Sequence, residues 1–218
     1  MMPLRFLHRF LRQNRGSVAI EGLFGAVLLL GWFMVAYQFY DAFRMRAVVS
    51  RTTYTVADLI SRVRDPIGPA YVDGVKKIFD AATRSSGDGQ SWIRVTLISC
   101  EATETDTRVC DGTSKRVKLR ASDSTPSSPA SHATGGHEAY TQSKLDAMAG
   151  AIPMMAAGDS AAIVEASYLY WPIFDIGEKG LTLDGQNATT IGLNARLRFS
   201  EFVVTRPRGP RTKWFDDN

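Results

Sequence analysis

Apolar residues run almost unbroken from position 17 to 39, "SVAIEGLFGAVLLLGWFMVAYQF", 23 residues in which Glu21 is the only charge. As a helix this run is about 34 Å long, enough to cross a hydrocarbon core of ~30 Å. Trp32, Tyr37 and Tyr40 gather toward its far end, where amphipathic rings favour the membrane interface. From Asp41 to Arg64 apolar residues recur at loose helical spacing among arginines and threonines, with no Pro or Gly before Pro66. This predicts a helix that continues from the span and packs one face on an external domain. "DPIGP" at 65–69 ends it, and a second short helix is predicted over 70–83, stopping at "SSGDG".

The period then changes from helical to alternating. In "SWIRVTLISC", Trp92, Arg94, Thr96 and Ile98 alternate with Ile93, Val95 and Leu97, which predicts a strand with one apolar face. "KRVKLRA" at 115–121 is its predicted antiparallel partner. Residues 122–137, "SDSTPSSPASHATGGH", hold too little apolar surface to order themselves and read as a mobile insertion, with His132 and His137 incidental. A short helix is predicted over 138–148 and a strand within "SAAIVEASYLYWPIF". A last strand is predicted in "TTIGLNARLRF", with Ile191, Leu193, Ala195, Leu197 and Phe199 on one face. Antiparallel sheets with one wet face have this pattern. The expected fold class is therefore α+β, a long N-terminal transmembrane helix continuing into a small extracytoplasmic domain with an antiparallel sheet.

Charge changes the picture only at the start of the chain. The net charge is +4, and Arg5, Arg9, Arg12 and Arg15 lie within residues 1–16 with no acid among them, so the remainder is formally neutral. The basic balance belongs to a leader rather than to a nucleic-acid-binding face, and no nucleic-acid partner is expected. With the arginines on the near side of the span, the positive-inside rule puts the N-terminus in the cytoplasm and the domain outside. The apolar run is too long for an ordinary secretory signal, and "YQFYDAFRMR" after it holds no A-x-A cleavage site.

Cys100 and Cys110 are the only thiols and enclose "EATETDTRV". In an extracytoplasmic domain this isolated pair reads as one disulfide closing a small loop. With only three histidines, His8, His132 and His137, a zinc site is not expected. Neither a nucleophile elbow, nor H-E-x-x-H, nor a phosphate-binding glycine loop is present. Asp58, Asp73, Asp80 and Glu165 are carboxylates that only folding could pair. No enzyme activity and no cofactor are expected.

The remaining oddity is Glu21, since an intramembrane acid costs about 3 kcal/mol at the bilayer centre. A cut after Gly16 would leave Ser17 as a new N-terminus with a free amine and Glu21 as its fifth residue. When such helices pack together, the carboxylate can pair with the amine of a neighbouring subunit. A basic leader ending in glycine, a glutamate at this spacing and an apolar helix resemble the class III signal of type IV pilins and pseudopilins. "RGSVAIEG" is most similar to the TadE/TadF/TadG-like minor pseudopilins of the Flp (tight-adherence) pilus system, although Gly22 stands where these usually carry an aromatic residue. "IVEASYLYWPIF", "LNARLRF" and "RPRGPR" are similar to the strands and Arg-Pro tail that end TadE-like proteins. The resemblance covers the two ends of the chain, roughly 75 residues, and leaves positions 65–160 uncovered.

That resemblance implies a leader over 1–16 and a transmembrane helix over 17–40. It also implies an extracytoplasmic domain over 41–206, with its insertion at 122–137, and a polar tail over 207–218. It implies a single-pass protein of the bacterial inner membrane with a periplasmic domain, processed by a prepilin peptidase between Gly16 and Ser17. Its partners would be other pilin or pseudopilin subunits, the inner-membrane assembly platform and the lipid bilayer. Its role would be assembly of the Flp pilus, supporting surface adhesion. The alternative is an unprocessed, membrane-anchored periplasmic binding or sensor module, which shares the topology but gives no reason for Gly16 or Glu21.

Overall fold

A computed structural model describes residues 15–87, 89–101, 109–110, 117–120, 130–172 and 197–209, with residues 15–17 as backbone only. The leader before Arg15, positions 122–129 of the expected insertion, residues 189–196 of the last expected strand and the tail after Gly209 lie outside the described residues. The chain divides into two compact units, Met1–Phe43 with Pro172–Asn194, and Arg44–Trp171 with Ala195–Asn218.

Helix α1 runs from Arg15 to Arg62 without a break. No proline interrupts it, and Asp65-Pro66 follows its end, where the residue before proline is pushed out of the helical region. Three threonines are tolerated in its interior because their hydroxyls return to carbonyls one turn back. Thr52 donates to Val48 O and Thr53 to Val49 O at 2.8 Å each, and Thr55 to Arg51 O at 2.9 Å. The part of α1 within the second unit buries Val49, Thr53, Val56, Ala57 and Ile60. This is the one-sided stripe that the sequence period predicts.

Helix α2 spans Pro69–Thr83, with Pro69 in its first turn and Arg84 in the left-handed conformation (φ 55°) closing its end. It buries Val72, Val75 and Phe79 and lies against β1 (Ser91–Cys100). The Asp80 carboxylate ties the two elements together, accepting from the Ser91 hydroxyl on one oxygen and from Lys76 at 2.7 Å on the other.

The main sheet is antiparallel with spatial order β3-β1-β6-β7, where β3 is Val117–Leu119, β6 is Ser160–Leu169 and β7 is Arg198–Thr205. A further strand, β4 (Ser131–Ala133), pairs with β1 beside β3. The long central strands β1, with Ile93, Val95, Thr96 and Ile98, and β6 pair over nine residues, from Ser91↔Tyr168 to Ser99↔Ser160. The pairing of β3 with β1, Ile98 opposite Leu119, is the partnership that alternation predicts.

Two sequence expectations need correction. First, residues 130–137 are not a mobile loop. Ser131 and Thr96 share a buried hydroxyl–hydroxyl hydrogen bond of 2.7 Å, and Thr134 accepts from Ile93 N at 3.0 Å. Polar side chains that look solvated in sequence are here consumed by specific partners on β1. Second, the sheet does not keep one wet face along its length. Beside the helix-facing residues Ile93, Val95, Val164 and Ala166, the opposite face carries a second core of Ile98, Cys100, Cys110, Val117, Leu145, Ile152, Met155, Ala161 and Ile163. That core includes residues of the short helix α3 (Gln142–Ala147) and of a small ribbon in which β2 (Val109–Cys110) pairs with β5 (Met155–Ala156). Helix α3 is shorter than the predicted 138–148. Its cap is Thr141, whose side chain accepts from Lys144 N at 3.4 Å, so the helix cannot begin earlier.

Candidate functional site

The described residue at the start of the apolar run is Val18, and from there to Tyr37 every side chain of α1 is exposed. Val18 is 71 %, Leu28 74 % and Trp32 77 % exposed. Within Val18–Arg62 the helix is long and apolar enough to cross a membrane. Glu21 sits on this exposed segment as its single charge. The Gly16–Ser17 bond lies in the first turn of α1, at the edge of the described residues.

Three glycines, Gly22, Gly25 and Gly31, interrupt the same segment. A β-carbon at any of them would meet nothing within 4 Å. Each glycine costs a helix about 1 kcal/mol relative to alanine, and among the described residues no contact returns that cost. Gly22, where the resembled family carries an aromatic ring, therefore has open space around it in the isolated chain.

The expected disulfide is present. Cys100, the last residue of β1, is bonded to Cys110, the last residue of β2, with Cα atoms 5.7 Å apart. Both residues are buried in the second core, at 2 % and 0 % exposure. The Cys100 sulfur lies 3.7 Å from Met155 O.

Sequence alternation alone does not reveal the polar cluster on the sheet. Arg94 of β1 and Glu165 of β6 are directly opposite in the ladder. Their side chains are 13 % and 14 % exposed, and Nε of Arg94 lies 3.0 Å from Oε2 of Glu165. The contact is ionic but off the hydrogen-bond line, since neither atom makes an aligned hydrogen bond. The other Glu165 oxygen accepts from the Tyr140 hydroxyl at 2.6 Å. The Arg94 guanidinium stacks 4.2 Å from the Tyr140 ring centroid and 5.0 Å from that of Trp92. Trp92 in turn meets His137, with ring centroids 4.6 Å apart. Burial, then the hydrogen bond to Glu165, push the Tyr140 pKa above the usual tyrosine range. Burial, then the charges of Arg198 and Arg94, lower that of His137. The signal in sequence was the shared alternation of Trp92 with Arg94 and of Glu165 with Ser167. What it lacked was the register that sets Arg94 against Glu165.

Asp58, Asp73 and Asp80 also meet Arg, Lys, His or Ser side chains rather than each other. Asp58 meets Arg62 at 2.8 Å and Arg208 at 3.0 Å, and Asp73 lies 3.7 Å from His132. Arg208 N donates to Ser61 O at 2.7 Å, which fastens the segment after β7 to the end of α1. Among the described residues no group of three or more His, Cys, Asp or Glu is placed to hold a metal. An open depression of about 250 Å³ is lined by Gly158, Asp159, Ser160, Arg206, Pro207 and Gly209. Arg206 and Asp159 are 3.6 Å apart there and both are partly solvated, so it offers no enclosed reaction space. Among the described residues, nothing covers the apolar length of α1 from Val18 to Tyr37. Set beside protein families, characterised proteins and solved structures, the chain matches none.

Proposed function

We propose that this chain is a membrane-anchored assembly protein of the pseudopilin kind, working in Flp-type pilus biogenesis rather than in catalysis. A prepilin peptidase removes residues 1–16. The helix from Ser17 to Tyr40 then lies in the bacterial inner membrane with the sheet domain in the periplasm. There it packs against other pilin-like helices at the assembly platform and supports pilus formation and surface adhesion.

One observation carries this reading. Helix α1 exposes every side chain from Val18 to Tyr37, an apolar surface far beyond what a chain surrounded by water sustains. Lipid answers the apolar surface but not the whole segment, because lipid alone gives no return for Glu21 or for three glycines. Small residues let neighbouring helices approach closely, and a neighbour's N-terminal amine gives Glu21 a partner. The disulfide suits an oxidising periplasm.

Crosslinking in intact membranes tests the packing. Wild-type protein is expected to crosslink to other pilin-like subunits. Glu21→Ala should keep its membrane insertion, since it removes a charge from the span, while losing most of those crosslinks; Glu21→Asp should keep part of them. Equal crosslinking by wild type and Glu21→Ala would remove Glu21 from the account.

A further inference from the structure

β7 ends the main sheet, and the hydrogen bonds fix which of its groups face away. Tyr170 N donates to Leu197 O at 2.8 Å, and Leu169 is opposite Arg198 in the ladder. Antiparallel pairs alternate between hydrogen-bonded and open. Phe199, Glu201, Val203 and Thr205 therefore turn their N–H and C=O groups toward β6. Arg198, Ser200, Phe202 and Val204 turn theirs outward. The 3.1 Å contact between the Ser200 and Ser167 hydroxyls agrees, because side chains approach most closely in the open pairs. Among the described residues no strand lies beyond β7. The run Phe202–Val203–Val204–Thr205 holds no charge and no proline, and it is rich in strand-favouring residues.

We propose that the outer edge of β7 is a strand-addition site for an extended segment of another protein that places a lysine or arginine opposite Glu201. Strand addition takes its affinity from the free backbone groups and its selectivity from the side chains set opposite. Glu201 bonds inward to β6, so against an added strand it occupies an open pair, where side chains are closest. A basic residue there gains, and an acidic one loses.

A second copy of this chain does not fit. Only even-numbered residues offer outward groups, so β7 can pair with its own copy only in registers two residues apart. Two antiparallel registers pair seven residues of β7, and one of them, Arg198 against Val204, sets Glu201 against Glu201 in the closest kind of pair. A shift one way sets Arg198 against Arg206, and a shift the other way shortens the overlap and sets Glu201 against Phe199. Charge thus argues against self-pairing and for a basic partner strand. The proposal stands independently of leader processing, because it uses only the folded sheet.

Hydrogen exchange on the full-length protein in detergent micelles tests it. The probes are a synthetic alternating Thr/Val peptide with one central lysine and its twin with a central glutamate. The amides of Ser200, Phe202 and Val204 should exchange quickly alone and slowly with the lysine peptide, which should bind about fivefold more tightly than its twin. Glu201→Lys should reverse that preference. Ser200→Pro removes one outward N–H while sparing the bonds of Phe199 and Glu201 to β6, and should abolish binding; Ser200→Ala should retain it. Protection of those amides before any peptide is added would show the edge already covered and overturn the proposal. So would equal binding of the two peptides, or protection by neither.

Discussion

Remove the carboxylate of Glu165 and two groups lose their partner at once, the guanidinium of Arg94 and the hydroxyl of Tyr140. Both members of the ion pair are more than four-fifths buried, so the loss strands a charge where water reaches it poorly. Glu165→Ala is expected to lower the unfolding free energy by about 3 kcal/mol. Replacing both charges, Arg94→Met with Glu165→Leu, should recover most of that, and urea titration of the wild type and the two variants checks it. His137 gives the residue scale a pH dependence. Its folded pKa lies below the ordinary value of about 6.5, so the unfolded chain takes up the proton first as pH falls. Stability from this group is full above the ordinary value and is lost as pH falls through the lowered one. His137 is exposed, so the slope is shallow, and His137→Gln should flatten it in denaturation midpoints measured on either side of that window. Neither residue could be assigned these roles from sequence. Glu165 and Arg94 are 71 positions apart, and only the β1–β6 register joins them.

At the scale of elements, what was legible is what repeats locally. The helical period gave α1 through to Arg62 and α2 nearly to the residue, and two-residue alternation gave β1, β3 and β6. β4 was not legible, because the segment is held by polar contacts, the Ser131–Thr96 hydroxyl pair and the bond from Ile93 N to the Thr134 hydroxyl, rather than by apolar alternation. Of the last expected strand only Arg198 and Phe199 fall within β7, which runs on to Thr205 beyond the stretch that the alternation marked; positions 189–196 lie outside the described residues. The Cys100–Cys110 bond was legible from spacing. Its place was not: it pins the β2–β5 ribbon to the end of β1 inside the second core. Cys100→Ser with Cys110→Ser should cost about 2–3 kcal/mol. Because both cysteines are buried, reductant should open the bond in the native protein only as fast as the domain itself opens. Mass shifts after alkylation, timed with and without urea, distinguish this from a freely reducible bond.

For the whole molecule, the described residues build an apolar helix long enough to cross a membrane and an antiparallel sheet domain. The exposed length of α1 was the most legible feature of the sequence and is the one that the proposed function rests on. In the proposed function the leader and Glu21 give that helix a direction and a reason to associate. If the chain is a pseudopilin, it reaches its working form only when the bond between Gly16 and Ser17 is cut. The direct measurement is the intact mass and N-terminal sequence of the protein isolated from membranes of cells with and without their prepilin peptidase. The account predicts a chain beginning at Ser17 in the first and an uncut leader in the second. An uncut leader in both would contradict it and leave an anchored periplasmic binding module in its place.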